Sequence, residues 1–543
     1  MQVKTEAKIK TDAKAKTEAK KTCNSPCFCY NNINGKNAKT EQKFGRNAMK
    51  IFKDYNQKQT FLLPPAVDDF VGPKHPARII SDVINTIDIS SIRGKYNGGG
   101  STAYHPGMML KVLLYAYSQG VYGSRRIERA VANDTAFMYL AGMQKPDFHT
   151  ICLFRSKHAE AIKQIFIEVV RLCASLGMVG LGHIAFDGTK LKANASVRQT
   201  REKEALNKEI AKITAEIDGL LTRAKEVDEC EDLLYGKDND GSGIPDEIKD
   251  KKYRLKRLEQ AKKQLAEEKL NKVNITDPDA HLMQNSKKVI QPGYNGQIAV
   301  DSQEQIIVAT DLTQDATDHY QLEPMIEQVE QNLGALPEQI SADAGYSSYD
   351  NLEHIEEKAT DAYIPDNKIE SLDEKEESET RYDKSNFTYD EESDQYICPE
   401  GKALTPYTKT TCTRKGERKE RVITVYRGTE CGNCPVKSKC TKAKIRTITR
   451  DGREPLQEKM RQKLRSEEGK EIYKKRAYTV EPVFGNMKWN RPKLIMSMRG
   501  KKKVRGEFTL MCITHNIGKI IRKVQAKTEE SSTCYRPVMA MAG

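Results

Sequence analysis

The stretch 181-LGHIAFDGTKLKANAS-196 decides the fold. Residues 180–186 form a short, nearly continuous apolar run, the pattern of a buried strand. That strand delivers one carboxylate, Asp187, to its end, followed by Gly188, Thr189 and Lys190. A carboxylate there stands at the rim of a sheet, where ligands bind. Asp-Gly is also a common turn pair, so taken alone the stretch reads equally as the opening of a turn. Two later stretches weigh against the turn. In 337-PEQISADAGYSSYDN-351 a second short apolar strand ends in Asp343, with Gly345 close behind, and 473-YKKRAYTVEPVFGNMKWNR-491 reads as a helix carrying Glu481 between Arg476 and Lys488.

Two acids on strand ends and one on a late helix form a recognisable order. On the motifs F-D-G-T-K-L-K-A-N-A-S (186–196), A-D-A-G-Y-S-S (342–348) and V-E-P-V-F-G-N-M-K (480–488), the chain resembles the DDE transposases of bacterial insertion sequences over roughly residues 50–523. The resemblance implies an α/β ribonuclease H-like catalytic core. It also implies cleavage of DNA at the element's ends, exposing a 3′-OH, and attack of that 3′-OH on target DNA. Asp187, Asp343 and Glu481 are then the catalytic, metal-holding triad. Such cleavage needs an activated water and a stabilised leaving oxygen, which two divalent ions between carboxylates provide, and Mg²⁺ suits hard oxygen ligands, with Mn²⁺ as the alternative. Tyr473, Arg476, Glu481 and Lys488 resemble the Tyr-Arg-Glu-Lys signature of related transposases, in which Tyr and Arg act near the DNA phosphates. Four residues separate Arg476 from Glu481, where the signature commonly has three. Lys190 and Lys192 are further phosphate contacts.

Around these motifs the chain divides by composition. Residues 1–48 repeat Lys with Ala, Thr and Glu and read as a disordered basic tail. Residues 49–178 read as an all-α N-terminal domain, with Asp147 or Thr150 as a helix cap and with Arg125, Arg126, Arg155 and Lys157 suited to DNA contact. Residues 179–196 and 289–365 carry the first part of the core, in the order β-β-β-α-β-α-β, and 471–526 carry its closing helices. Between the two parts of the first half, 197–288 read as an inserted helical hairpin. Leu206, Ile210, Ile213, Ile217 and Leu220 keep a coiled-coil rhythm, answered by Ile248, Leu255, Leu258 and Leu265. Residues 366–470 are an acidic linker followed by a small Cys-rich insertion, and 527–543 read as a disordered tail.

The Cys-rich insertion suggests a second metal. Cys431 and Cys434 form C-x-x-C, Cys440 follows, and Cys398 lies in the turn-like C-P-E-G. Four thiolates satisfy a closed structural Zn²⁺ site. Few large apolar residues occur in 395–445, so metal is expected to supply much of the folding energy. Cys412 is the alternative fourth ligand.

The 543 residues carry a formal net charge of +14, which suits a polyanionic partner. Thirteen cysteines, without an apolar export signal, point to reduced thiols or metal ligands rather than a disulfide framework. The expected setting is cytoplasmic and nucleoid-associated, with no membrane span. The expected partners are double-stranded DNA, both element ends and target, and a second copy of the chain in the DNA complex. Two rivals remain: a catalytically inactive or domesticated DNA-binding protein of the same fold, and a metal nuclease that only cleaves.

Overall fold

The computed structural model describes residues 66–96, 102–235, 246–285, 287–366, 381–413, 420–490 and 495–530. The expectations for residues 1–48, for the acidic stretch 367–380 and for the last 13 residues lie outside them.

The first part is helical, as its composition suggests. Seven helices follow one another: α1 (Pro76–Thr86), α2 (Ser90–Arg93), α3 (Pro106–Ser118), α4 (Ser124–Asn133), α5 (Thr135–Ala141), α6 (Phe148–Lys157) and α7 (Ala159–Ser175). Their starts are chemically marked. Pro occupies the first position of α1 and α3, where its missing N–H costs nothing. Asp134 caps α5 through the amides of Ala136 and Phe137, and Asp147 caps α6 through the amide of Thr150 at 2.6 Å. α5 ends where Gly142 takes φ +55°.

Strand β1 (His183–Lys192) is the centre of the sheet. It continues five residues past Asp187, so this aspartate sits within the strand rather than at its end. Short β2 (Thr200–Glu202) and β3 (Lys272–Asn274) pair with each other and bracket α8 (Lys203–Tyr235) and α9 (Asp246–Glu267). Leu206, Ile213, Ile217, Leu258, Ala261 and Leu265 of these two helices share a core of their own with Val273 and Ile275. The apolar rhythm read in 199–225 and 248–270 therefore reports a helix pair that buries its seam against itself.

The sheet resumes with β4 (His281–Gln284), β5 (Ile290–Asp301) and β6 (Ile306–Thr313), followed by α10 (Leu322–Leu333), β7 (Gln339–Ala342), α11 (Tyr349–Glu357) and β8 (Asp361–Tyr363). β5 runs antiparallel to β1 on one side, while its other edge is shared by β4 and β6. β7 and β8 continue the sheet beyond β1 in parallel. β5 and β6 are buried along almost their whole length, as strands covered on both faces are.

A second, five-stranded antiparallel sheet comes next. It comprises β9 (Thr388–Asp390), β10 (Gln395–Ile397), β11 (Ala403–Cys412), β12 (Arg421–Gly428) and β13 (Thr447–Asp451), with the short α12 (Lys437–Cys440) in its last connection. Phe387, Tyr396, Leu404, Tyr426 and Ile448 form its core, and Tyr389, Tyr396 and Tyr426 pack ring against ring at 5.1–6.0 Å. The Cys-rich segment thus has its own apolar centre, built in part from Phe387 and Ile448, which lie outside 395–445.

Three helices close the chain: α13 (Glu454–Arg465), α14 (Glu467–Asn490) and α15 (Lys501–Glu530). α15 runs four residues past 526, where the sequence places the end of the core. It packs on α7, α3 and β6, and one continuous core joins the N-terminal helices, the sheet and α15. Gly506 allows the closest approach of this packing, since a Cβ there would lie 2.9 Å from Cα and Cβ of Ala159. The N-terminal helices are consequently built into the sheet's core. No helix among the described residues is long and apolar enough to cross a membrane.

Candidate active site

The parallel pairing of β1 and β7 sets Phe186 beside Ala342 and ends there. The next residue of each strand is an aspartate, so Asp187 and Asp343 emerge side by side. Beyond this point the backbone of β7 turns: Asp343 Oδ1 accepts from the amide of Gly345 at 3.0 Å. Asp187 Oδ1 accepts from the amide of Gly188 at 2.8 Å. Helix α14 crosses this edge and packs on β1 and β7. It places Arg476 against both acids, 3.1 Å from Asp187 Oδ2 and 3.9 Å from Asp343 Oδ2.

Burial pushes the Asp187 carboxyl up to about 6; the Arg476 charge opposes this, and the neighbouring charges of Asp343 and Asp318 add to it. Asp343 is shifted upward for the same leading reason, again with Arg476 in opposition. Asp318, in the loop between β6 and α10, stands with them. Asn295 Nδ2 and Gln297 Nε2 donate to its Oδ1 at 2.6 and 2.7 Å, and Lys190 Nζ lies 3.5 Å from the same oxygen. Tyr346, fully buried, donates its hydroxyl to Gln297 Oε1 and so ties the β7 turn to this polar layer. Lys190 Nζ and Arg476 Nε are buried and make no hydrogen bond among the described residues. Both cations are thus held by charge more than by directed bonds.

The structure brings Asp187, Asp343, Arg476 and Lys190 together, but not Glu481. A step of five positions on a helix of 3.6 residues per turn turns Glu481 about 140° away from Arg476, and Glu481 faces solvent while Val480 and Val483 are buried. Tyr473 is half-buried beside Arg476. Lys488 is exposed, with its ammonium 5.7 Å from the centre of the Phe484 ring. Lys192 is half-buried, and Arg125 and Arg126 are exposed on α4. Arg155 does not belong with them. It is 4% exposed, and its guanidinium donates to Tyr117 Oη, the Tyr122 carbonyl and Ser124 Oγ, holding α3, α4 and α6 together.

Sequence reading passed over Asp318. The available signal was the acid-bearing loop 313-TQDATDHYQL-322 at the end of a buried strand, together with Asn295 and Gln297, two polar residues on one face of a strand buried along almost its whole length.

In the second sheet, Cys398, Cys431, Cys434 and Cys440 line a single small cavity with Val436 and Lys437, and all four are free thiols. Cys412 lies elsewhere, at the far end of β11 opposite Arg421. Among the described residues no set of three or more His, Cys, Asp or Glu side chains is already drawn into a metal cage, either here or at the aspartates.

Two family models match the chain. "Transposase domain (DUF772)" matches residues 65–157, which hold α1 to α6, and "Transposase DDE domain" matches residues 397–521, which hold β11 to β13, α13, α14 and most of α15. No curated protein matches. Asp187 and Asp343 lie outside both matched segments, whereas Arg476, which reaches them, lies inside the second. Members of such families cut DNA and transfer strands, generally with divalent metal ions. These two matches, in the order helices then DDE domain, make the chain similar to DDE transposases of the insertion-sequence type.

Proposed function

We propose that the chain cleaves DNA at the ends of an insertion sequence and joins the freed 3′-OH to target DNA, with Mg²⁺ as cofactor, at a site built on Asp187 and Asp343. The observation that carries this reading is the emergence of two aspartates side by side from parallel strands, with one guanidinium between them. The residues fit a divalent ion: hard oxygen donors converge, and side-chain cations already lie against their charge. Asp187 and Asp343 would hold the metal, and Mn²⁺ would substitute for Mg²⁺. When bound, the ions supply an activated water or 3′-OH and stabilise the leaving oxygen.

The chain's own residues do the rest. Arg476 and Lys190, once released from the carboxylates, are free to take phosphate oxygens. Tyr473, Lys488 and Lys192 lie on the same two elements, and Arg125 and Arg126 extend the basic surface. Glu481 is the third acid of the family pattern. Because it faces away from the aspartates, its arrival requires α14 to turn when DNA binds. A strand order with β1 central, β5 and β6 antiparallel on one side and β7 and β8 parallel on the other supports a ribonuclease H-like core. A homodimer would bring two element ends together.

We also propose a structural Zn²⁺ held by Cys398, Cys431, Cys434 and Cys440. The shared cavity supports this set over one with Cys412. The aromatic core of the sheet limits the metal's share of the folding energy. Zinc analysis of purified protein tests it: about one zinc per chain, lost in Cys431→Ser with Cys434→Ser, is expected. Less than about half a zinc per chain excludes the site.

The function is tested by incubating the full chain with DNA carrying the element's flanking ends, with Mg²⁺ or with chelator. Mg²⁺-dependent cleavage with joined products supports the reading; cleavage without joining identifies a nuclease, and neither product an inactive DNA-binding copy.

A further inference from the structure

The carboxylate of Asp318 lies between β1 at Gly188, next to Asp187, and the turn that carries Asp343. A Cβ on Gly188, next to Asp187, would lie 2.8 Å from Asp318 Oδ1. A Cβ on Gly345, two residues past Asp343, would lie 3.4 Å from Asp318 Oδ2. The bare glycine at 188 is what lets a third acid approach this closely, while at 345 a Cβ would only reach ordinary contact with it. Its two oxygens have different surroundings. Both amide donors, Asn295 and Gln297, and the Lys190 ammonium fall on Oδ1. Oδ2 is left on the Asp343 side.

We propose that Asp318 is a further metal-binding carboxylate of the Asp187–Asp343 site, with Oδ2 as its ligand atom and Oδ1 as the anchor. The inference rests on the reading of that site given above. Asn295 and Gln297 orient the carboxylate from β5, as partners behind a metal ligand do. They are buried at 0% and 1% exposure on the strand that pairs with β1, so the anchor is rigid. Lys190, 3.5 Å away and without a hydrogen bond, serves as the counter-charge of the metal-free state. Asp318 also faces the site electrostatically, since its charge acts on Asp187, Asp343 and Tyr346 alike. Asp318 thereby supplies an acid already in place, whereas Glu481 remains on the solvent side of α14.

The test is Mn²⁺ binding to the full chain without DNA, by calorimetry or by the spin-resonance signal of free Mn²⁺. Asp318→Asn keeps an oxygen for the two amides but removes the ligand charge. It should weaken Mn²⁺ binding at least about tenfold while the thermal midpoint in chelator stays near that of the unmodified protein. A loss of less than about fivefold, with Asp187→Asn losing binding outright, overturns the proposal and leaves the underlying site standing. Unchanged Mn²⁺ binding by Asp187→Asn overturns both. Asp318→Glu gives a second reading that does not depend on the first variant folding. By moving the carboxylate one methylene it should change the ratio of Mn²⁺ to Ca²⁺ affinity at least about fivefold, and an unchanged ratio argues for a structural role alone.

Discussion

Replacing Arg476 by Ala isolates what the guanidinium does in the metal-free site. Its contacts are 3.1 Å to Asp187 and 3.9 Å to Asp343, with the side chains of Arg476 and Asp187 15% and 16% exposed and that of Asp343 39%. Removing one partner of a fully buried ion pair costs about 3–5 kcal/mol, because the other charge stays behind unpaired. Partial exposure here brings the expected loss to about 2 kcal/mol at pH 8. The loss should depend on pH. Burial already pushes the Asp187 carboxyl up to about 6, and Arg476 is the largest of the influences that hold it down, ahead of the Gly188 amide. Without the arginine the folded-state value rises further above that of the unfolded chain. At pH 5 the carboxyl is then protonated, little unpaired charge remains, and most of the penalty disappears; as pH rises through the folded-state value it returns in full. Mg²⁺ should act in the same direction as the missing guanidinium and restore more stability to the variant than to the unmodified protein. Thermal and denaturant unfolding at pH 5 and 8, in chelator and in saturating Mg²⁺, reads all three effects. An equal loss at both pH values, unaltered by Mg²⁺, would refute the reasoning and make Arg476 a packing residue.

In the unmodified chain, divalent-ion affinity should fall as pH drops through about 6, because the ion needs Asp187 ionised; a Mn²⁺ titration at pH 5 and pH 8 checks it. The metal-free fold responds with the opposite sign. The raised Asp187 value contributes stability that is present below the unfolded carboxyl value and lost as pH rises towards 6, measurable by unfolding in chelator. Gly506→Val should cost about 1–3 kcal/mol, since its Cβ has only 2.9 Å to the facing backbone of Ala159, and the loss should appear in stability before it appears in DNA affinity.

What the sequence revealed follows from how far each signal reaches. Asp187 and Asp343 were legible because each ends or interrupts a short apolar run beside a glycine, and that pattern is local. The α8–α9 pair was legible because its seam repeats over several turns. The second sheet was not. β11 is exposed along most of its length and reads Thr, Lys and Pro, so neither alternation nor a long apolar run marks it, and its core comes from five residues scattered over 387–448. Asp318 was passed over and Arg155 misread for a common reason. Whether a charge in a loop or on a short helix meets water or a buried partner depends on elements distant in the chain, Asn295 and Gln297 in one case and Tyr117 in the other. The helical period itself shows that Arg476 and Glu481 face different ways, but only the packing of α14 on β1 and β7 decides which of them meets the aspartates.

The central claim, that Asp187 and Asp343 form the metal-dependent cleavage centre, is tested most directly by cleavage of DNA bearing the element's ends, comparing the unmodified chain with Asp187→Asn and Asp343→Asn in Mg²⁺. Each variant is expected to bind the DNA within about threefold of the unmodified affinity, because basic side chains supply that term, and to lose cleavage by at least about a thousandfold. Near-normal cleavage by either variant, with folding and DNA binding intact, would contradict the account.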